Sequence, residues 1–314
     1  MDNTAIKVAA TPQSVKWGFL DASTPAIARV ASGAEVIIDT VSGEPPHLPT
    51  DDAFEILPEH RPILEAAERG PGPHLLTGPI HIESAKPGDV LEVDILDVTL
   101  RQNWGFNLII PLLGTIPEDF PDFVMKILPI DKQAKTVTLP WGGKLNLSPF
   151  FGVMGVAPPP NWGRITSVIP RAMGGNMDNK ELIAGTKVYF PVFNEGAQFS
   201  VGDGHGVQGD GEVCITAVET ALTGRFRLSV RKDMELTAPR AETPTHYITM
   251  GFDEDLDDAV RHALRDMIRW IGELRGLSKT DAYSLCSLAA DFHVTQMVNM
   301  AKGAHCMLPK SILG

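Results

Sequence analysis

The sequence predicts a mainly β protein with an α+β C-terminal part, built on a β-sandwich or barrel-like core in two to three subdomains. The 29 glycines and 25 prolines are spread widely through the 314 residues, which divides the chain into short elements. Several segments alternate apolar and polar side chains with period two, as in the run from Val90 to Val98. A helical period becomes clear only after residue 253, so we expect few helices before it.

Apolar runs that are bounded by turn residues give the candidate strands. We expect most of them to pair in antiparallel fashion, because short turns join many of them. The candidate strands are residues 36–40, 90–100, 123–128, 135–139, 187–192, 213–220 and 225–230.

The C-terminal segment contains two helix signals. Apolar residues recur at three- and four-residue spacing from Leu256 to Leu274, which predicts an amphipathic helix that Gly276 ends. The segment Ser278-Lys-Thr-Asp281 has the spacing of a capping box, which predicts a second helix over about residues 281–290. Residues 61–68 are a short helix candidate in the N-terminal half.

The length of the chain and its changes in texture suggest four segments. Residues 1–100 are expected to form an N-terminal β-sandwich part, and residues 101–160 a β-rich insertion. Residues 161–250 are expected to form a β-rich catalytic part, and residues 251–314 the C-terminal α+β part.

Composition excludes several classes of function. The formal net charge is −12, and no cluster of Lys and Arg is present, so nucleic acid is not an expected partner. No apolar run reaches the ~20 residues of a membrane span, and the N-terminus lacks the pattern of a secretion signal. The three cysteines form no CxxC pair, which favours a reducing, cytoplasmic setting. A small molecule is therefore the expected ligand.

The glycine-rich stretch from Val201 to Glu212 is the strongest functional signal in the sequence. Asp203 and His205 are two residues apart, so on an extended backbone both side chains leave the same face. Asp210 and Glu212 repeat this spacing after a turn, which would let four ligand-type groups converge on a divalent cation. Mixed imidazole and carboxylate ligands suit zinc, manganese or iron, whereas carboxylates alone suit calcium. The alternative is a glycine-rich hairpin whose carboxylates are solvated or cap turns.

The same stretch matches a dinucleotide-binding fingerprint, G-x-G-x-x-G, over residues 204–209. That motif works only between a strand and a helix, because the helix N-terminus holds the pyrophosphate. Here the apolar, β-branched run of residues 213–218 follows and predicts a strand. We therefore reject the dinucleotide interpretation.

Two further features have both a functional and a structural interpretation. Gly174-Gly-Asn-Met-Asp178 can place an amide and a carboxylate on one face of a turn, or it can form an Asx-type turn. Asp178 gains a functional role only if it meets residues 203–212 in space. Cys214 could be a nucleophile with Glu212 as its base, or a small buried residue in an apolar strand.

These motifs resemble those of the acetamidase/formamidase family, over nearly the whole chain. The resemblance lies in Gly174-Gly-Asn-Met-Asp178, Gly196-Ala-Gln-Phe-Ser-Val-Gly-Asp-Gly-His205 and Gln208-Gly-Asp-Gly-Glu-Val213, and extends to Leu308-Pro-Lys310. It implies hydrolysis of short aliphatic amides, a β-rich fold with an α+β tail, and at least a homodimer. It also implies a bound divalent metal.

Local spacing and the resemblance together predict the roles of individual residues. Zinc is the first choice of metal, with calcium or manganese as alternatives. The site could instead belong to a metal-free amidase that uses Cys214, or to a non-catalytic protein that binds a metal or small ligand. The predicted metal ligands are Asp178, Asp203, His205 and Asp210, the last either as a ligand or as a group that orients His205. Glu212 is the predicted general base, and His205 is also expected to take part in catalysis. Asn176, or a backbone N–H in the glycine-rich loop, is predicted to stabilise the oxyanion, and the predicted substrate contacts are Gly204, Gln208 and His81.

Overall fold

Strands, most of them paired in antiparallel fashion, are the main regular element of the computed structural model, which describes residues 5–313. Its helices are α1 (His60–Ala66), α2 (Leu256–Arg275), α3 (Lys279–Ala289) and α4 (Lys310–Leu313). The strands are β1 (Ile6–Val8), β2 (Val15–Trp17), β3 (Phe19–Leu20), β4 (Ala28–Val30), β5 (Ala34–Asp39), β6 (Glu68–Arg69), β7 (Leu75–Ile82), β8 (Val90–Leu100), β9 (Trp104–Ile109), β10 (Val124–Asp131), β11 (Thr136–Thr138), β12 (Lys144–Asn146), β13 (Phe150–Gly155), β14 (Ile165–Thr166), β15 (Gly174–Asn176), β16 (Lys187–Pro191), β17 (Phe199–His205), β18 (Leu222–Arg231), β19 (Arg240–Glu242), β20 (His246–Asp253), β21 (Asp291–Gln296) and β22 (Lys302–Pro309).

Two large sheets enclose the main core. One has nine strands in the order β1-β5-β18-β8-β16-β19-β20-β22-β21, and the other has β15-β13-β17-β7-β2-β6 with β4 paired to β7. Phe226 of the first sheet contacts Phe151 and Phe199 of the second, with ring centroids 5.7 Å apart in each pair. All three rings are buried, so the core lies between the sheets. This arrangement confirms the predicted mainly β, sandwich-like fold.

A smaller sheet of β12, β11, β10 and β9 lies beside these two, and β14 pairs with β3. The nine-stranded sheet contains strands from the predicted segments 1–100, 161–250 and 251–314. Because one sheet combines strands of three of these segments, the structure does not test whether they are separate units, and the four-segment division stays a prediction. Among residues 5–313, no helix combines the length and the apolar character that a membrane crossing needs.

The two C-terminal helices lie where the sequence predicts, to within a few residues at each end. The Asp255 side chain accepts hydrogen bonds from the backbone N–H groups at the start of α2, and Gly276 ends that helix with a left-handed φ of 67°. Ser278 caps α3 by accepting from the N–H of Asp281 at 3.1 Å. These caps satisfy backbone groups that a helix end otherwise leaves unpaired.

A buried ion pair attaches α2 to the nine-stranded sheet. Arg240 of β19 is fully buried and donates to both carboxylate oxygens of Asp266 on α2, at 2.8 and 2.9 Å. It also donates at 2.7 Å to Glu273, whose side chain is 46% exposed. A bidentate guanidinium–carboxylate pair of this kind fixes orientation as well as distance.

The prediction of a strand over residues 213–220 was wrong. Glu212 and Ile215 have left-handed φ values of 44° and 87°, which an extended strand does not allow. The segment makes a turn in which the N–H of Ile215 donates to the carbonyl of Glu212 at 3.0 Å. Glycine-rich residues 199–205 form strand β17 instead. No helix follows the 204–209 motif before β18, so the rejection of dinucleotide binding stands on that ground.

Candidate functional site

The two predicted motifs meet across one strand of the seven-stranded sheet. Asp203 and His205 lie on β17, which pairs with one edge of β13, and β15 pairs with the other edge. Asp178 follows β15, and its backbone N–H donates to the carbonyl of Gly152 in β13 at 3.2 Å. Strand pairing therefore brings the 174–178 and 201–212 stretches together. This meets the condition under which Asp178 could have a functional role.

Gly152 of β13 leaves space for the carboxylates of Asp178 and Asp203. A β-carbon added to this residue would lie 2.3 Å from Asp178 Oδ1, 2.4 Å from Asp203 Oδ2 and 2.9 Å from His205 Cε1. No real side chain could be accommodated at such distances. The missing side chain is thus the reason that groups from two neighbouring strands can converge above β13.

His205 lies at the centre of four carboxylates, and its imidazole is 1% exposed. These five residues are called the carboxylate cluster below. The oxygens nearest to His205 Nε2 are Glu219 Oε1 at 3.2 Å, Asp203 Oδ2 at 3.3 Å, Asp178 Oδ1 at 3.9 Å and Glu212 Oε1 at 4.0 Å.

Gln208 fixes the orientation of the imidazole. Its amide Nε2 donates to the backbone carbonyl of Asp178 at 2.8 Å, so its Oε1 must be the atom 2.9 Å from His205 Nδ1. An amide oxygen only accepts, and His205 Nδ1 is therefore protonated. In the neutral imidazole this leaves the lone pair on Nε2, which faces the four carboxylates.

Glu219 is a member of the cluster that the sequence analysis missed. Its backbone is held by hydrogen bonds with Phe106 at 2.8 and 2.9 Å, and its Oε1 accepts from the N–H of Ala217 at 3.0 Å. The only signal in the sequence is a carboxylate within an apolar run, which was interpreted as part of a strand. Isolated antiparallel bridges of Glu219 with Phe106 and with His205 place this residue beside the imidazole.

His74 and Asn299 are two further neighbours that the sequence did not indicate. His74 Nε2 lies 3.9 Å from Asp203 Oδ2. Asn299 donates through Nδ2 to Asp178 Oδ2 and also, at 3.1 Å, to the backbone carbonyl of Asn176. Both come from segments distant in the chain and have no motif around them, so only the tertiary structure identifies them.

Burial disfavours the charged form of most of the cluster. It raises the pKa of Glu212 well above its usual range, and the charge of Asp178 raises it further. Burial also raises the pKa of Asp178 more than the neighbouring His205 lowers it. The pKa of Glu219 is raised to about 7, again by burial, against the opposing effect of His205. Without a bound cation, Glu219 therefore holds its proton up to a pH of about 7, and burial favours the protonated forms of Glu212 and Asp178 as well.

Asp203 and His205 are instead favoured in their charged forms: the pKa of Asp203 is lowered and the pKa of His205 is raised. Burial by itself would raise the pKa of Asp203, but the imidazoles of His74 and His205 lower it below its usual range. Burial would lower the pKa of His205, but the charges of Glu219 and Asp203 raise it well above the usual value. The pair therefore behaves as a buried ion pair inside an acidic environment.

The residues of the cluster fit a divalent cation. Asp178 Oδ1 and Glu212 Oε2 are buried and have no hydrogen-bond partner in the described part of the chain. Ligand atoms of Asp178, His205 and Glu212 lie within 4.8 Å of one another, and so do those of Asp203, His205 and Glu219. Carboxylates together with an imidazole suit zinc or manganese, and the carboxylates alone suit calcium.

Asp210 and His81 lie outside the cluster. Asp210 Oδ2 is 2.9 Å from Lys180 Nζ and 3.2 Å from His293 Nδ1, so its carboxylate points to another part of the surface. The group that orients His205 is Gln208 and not Asp210. His81 lies near the opposite end of β7 from the residues that pair with β17 beside Asp203, and it packs against Gly196.

The other predicted residues contribute mainly to packing. Gly204 lies close to the carbonyl of Thr220, where a β-carbon would approach to 2.4 Å. Asn176 donates from Nδ2 to the carbonyl of Val168 at 3.2 Å, and the structure does not bring this donor to the carboxylates. Cys214 Sγ contacts Asn107 Nδ2 at 3.3 Å and no member of the cluster.

Comparison with known proteins agrees with this architecture. The crystal structure of an acetamidase from Bacillus halodurans superposes with a TM-score of 0.85 at 31% identity, covering 98% of each chain. A formamidase from Methylophilus methylotrophus is 29% identical over 301 residues, which are 72% of this chain and 74% of that protein. An acetamidase from Mycolicibacterium smegmatis is 28% identical over 198 residues; this match covers 45% of this chain and about half (49%) of that protein.

The sandwich fold and the buried carboxylate cluster define a mainly β protein with a preformed, buried acidic site whose residues could hold a metal ion. The model of the Acetamidase/Formamidase family matches residues 21–165 and 163–314. The chain belongs to this family, which confirms the resemblance inferred from the sequence.

Proposed function

We propose that this protein is an amidase that hydrolyses the carbon–nitrogen bond of short linear amides. In this reaction an amide of the formamide or acetamide type and one water give a carboxylate and ammonia, which takes up the released proton as ammonium. Family membership supports the reaction class, since related proteins of similar sequence are described as acetamidases and formamidases. The main observation for the mechanism is the convergence of four buried carboxylates on His205 Nε2.

Asp178, Asp203 and His205 would hold a divalent cation, with Glu219 as a fourth ligand in place of the predicted Asp210. A cation bound there supplies a Lewis acid that polarises an amide carbonyl and lowers the pKa of water towards ~7. Zinc is our first candidate because an imidazole lies among the carboxylates, and calcium and manganese are the alternatives.

Glu212 acts as the general base. Its Oε2 is buried and without a hydrogen-bond partner in the described residues, whereas Oε1 of Glu219 accepts from Ala217 and lies beside His205. Glu212 takes a proton from the attacking water and passes it to the departing nitrogen. Burial and the neighbouring Asp178 raise its pKa, which suits a group that must both accept and return a proton.

Gln208 positions His205 by accepting from its Nδ1–H, and it is itself held by the backbone of Asp178. Because the same amide contacts both motifs, it keeps Nε2 directed at the carboxylates. This role replaces the substrate contact that the sequence suggested for Gln208. We give no oxyanion role to Asn176, because its amide donates to Val168.

The cellular setting and the assembly are further parts of the proposal. We propose a cytoplasmic enzyme, since Cys214, Cys286 and Cys306 are all free thiols. We also propose at least a homodimer. Exposed apolar side chains around the β9–β10 connection support it, among them Leu112 and Phe123.

A matched pair of variants tests the proposal. Asp203→Asn should abolish ammonia release from formamide and acetamide and should reduce bound metal, measured by elemental analysis of the purified protein. Asp210→Asn removes a carboxylate of the same stretch that lies outside the cluster, and it should retain both metal and activity. A fully active Asp203→Asn protein without metal would contradict the mechanism.

Cys214→Ser separates this mechanism from the metal-free alternative. We expect the variant to keep its activity and a chelator to abolish it, because the thiol contacts no member of the cluster. Inactivation by this substitution together with resistance to chelators would instead identify Cys214 as the nucleophile. A protein that binds amides but releases no ammonia would indicate a binding function.

A further inference from the structure

A cleft that is separate from the carboxylate cluster lies between helix α2, strand β20 and the loop before β15. Its volume is about 450 Å³, within the range of small-molecule sites, and no residue of the cluster lines it. One wall is the face of α2, and the opposite wall is the loop that contains Trp162 and Arg171. The cleft is therefore a separate feature that the proposed reaction does not use.

The α2 wall of this cleft is basic. His262, Arg265 and Arg269 line it at spacings of three and four residues, which place them on one helix face. Arg171 faces them from the loop, where its guanidinium lies 5.7 Å from the centre of the Trp162 ring. The chain has a net charge of −12, so a cleft lined by three arginines differs from the rest of the surface.

The charge of these arginines is largely uncompensated. Within residues 5–313, Arg171 and Arg265 make no ion pair, and Arg269 lies 3.4 Å from one oxygen of Asp266. Asp266 is the only carboxylate that lines the cleft, and both its oxygens accept from the buried Arg240. His262 lies 3.9 Å from Asp253, at the rim. The cleft therefore presents free guanidinium donors and no free acceptor of comparable strength.

We propose that this basic cleft binds a small polyanion with phosphate or carboxylate groups. Guanidinium groups donate two parallel hydrogen bonds to such groups, and arginines on facing walls can hold two ends of one anion. Trp162, Met250 and Phe252 provide an apolar surface for the carbon part of an organic ligand. The neutral amide substrate of the proposed reaction lacks the charge that this cleft selects.

Calorimetric titration of the full-length protein with sodium phosphate and, separately, with citrate tests this proposal. The ionic strength is kept constant with sodium chloride. The variants are Arg265→Gln and Arg171→Gln, one from each wall. Arg261→Gln is the matched control, because Arg261 lies on the same helix and pairs with Asp258, outside the cleft.

We expect saturable binding of at least one of the two anions, and each cleft variant should weaken it about ten- to a hundredfold. The control should bind as the unmodified protein does, and circular dichroism should show that all three variants are folded. Tighter binding of phosphate or of citrate identifies which chemical group the cleft recognises.

Three results would overturn the proposal. They are the absence of saturable binding of both anions, unchanged affinity in both cleft variants, and an equal loss of affinity in Arg261→Gln. The first result includes the case in which a second copy of the chain covers the cleft in solution. The third would mean that the helix attracts anions by its general charge.

Discussion

Asp178 Oδ1 and His205 Nε2 lie 3.9 Å apart, although the two residues belong to different stretches of the chain and to opposite edges of strand β13. Both side chains are about 1% exposed. A buried carboxylate oxygen and a buried imidazole nitrogen at this distance are too far apart for a hydrogen bond, but both can ligate one cation. The proposed mechanism depends on this relationship, and so do the predictions that follow.

Gly152→Ala should inactivate the enzyme by filling the space between the two carboxylates. The added methyl group would lie 2.3 Å from Asp178 Oδ1 and 2.4 Å from Asp203 Oδ2, so both side chains must move. A displacement of this size is expected to lower kcat/KM at least about a hundredfold and to weaken cation binding. Steady-state ammonia release and metal content measure both effects.

Gly209→Ala is the matched control for that substitution. Gly209 belongs to the glycine-rich stretch, but no atom lies within 4 Å of its added methyl group. We expect nearly unchanged activity and metal content. Normal activity in Gly152→Ala would show that the space above β13 is not needed for catalysis.

Glu212→Gln should lower kcat about 10²- to 10⁴-fold with a smaller change in KM, because an amide cannot accept a proton from water. Glu219→Gln should act differently, since Glu219 contacts His205 directly and is proposed as a ligand. Its main effect is expected to be weaker metal binding, with activity recovered at high metal concentration. The reverse pattern would assign the base to Glu219.

Cation affinity should increase with pH. In the cation-free protein the pKa of Glu219 is about 7, and burial also raises the pKa values of Glu212 and Asp178. A cation must displace these protons, so each proton released makes binding about tenfold tighter per pH unit. Titration calorimetry at pH 6, 7 and 8, in buffers of different ionisation enthalpy, counts the protons. Affinity that is constant over this range would contradict the deduced protonation.

The stability of the cation-free protein should show the opposite dependence. The folded pKa of Glu219 is above its value of 4.5 in the unfolded chain, so the folded state binds the proton more tightly. This contribution is fully present below pH 4.5 and is lost as pH rises through about 7. Added zinc should therefore raise the melting temperature more at pH 8 than at pH 6, as measured by thermal unfolding.

Arg240→Met should destabilise the attachment of α2 to the sheet. The substitution leaves the Asp266 carboxylate buried without its bidentate partner, which is expected to cost about 3–5 kcal/mol in the free energy of unfolding. Urea unfolding measures the loss. Arg261→Met, which breaks an exposed pair on the same helix, should change the stability little. Similar effects of both substitutions would mean that burial does not strengthen the Arg240–Asp266 interaction.

The sequence by itself determined the local elements. Helices α2 and α3 were predicted to within a few residues, because their caps and apolar spacing are local features. Strand β8 was predicted with its observed limits, since period-two alternation records which face is buried. The motifs around Asp178 and around Asp203 and His205 were also recognisable, because several functional residue types lie close together in the chain.

Only the tertiary structure decided which acidic residues belong to the site. Asp210 lies in the glycine-rich motif and Glu219 in an apolar run, yet Glu219 lies 3.2 Å from His205 whereas Asp210 pairs with Lys180. His74 and Asn299 enter through strand pairing and loop packing between distant segments. The physical reason is that periodicity and spacing record burial and local turns, whereas a cation site depends on distances between side chains that only the packed sheets determine.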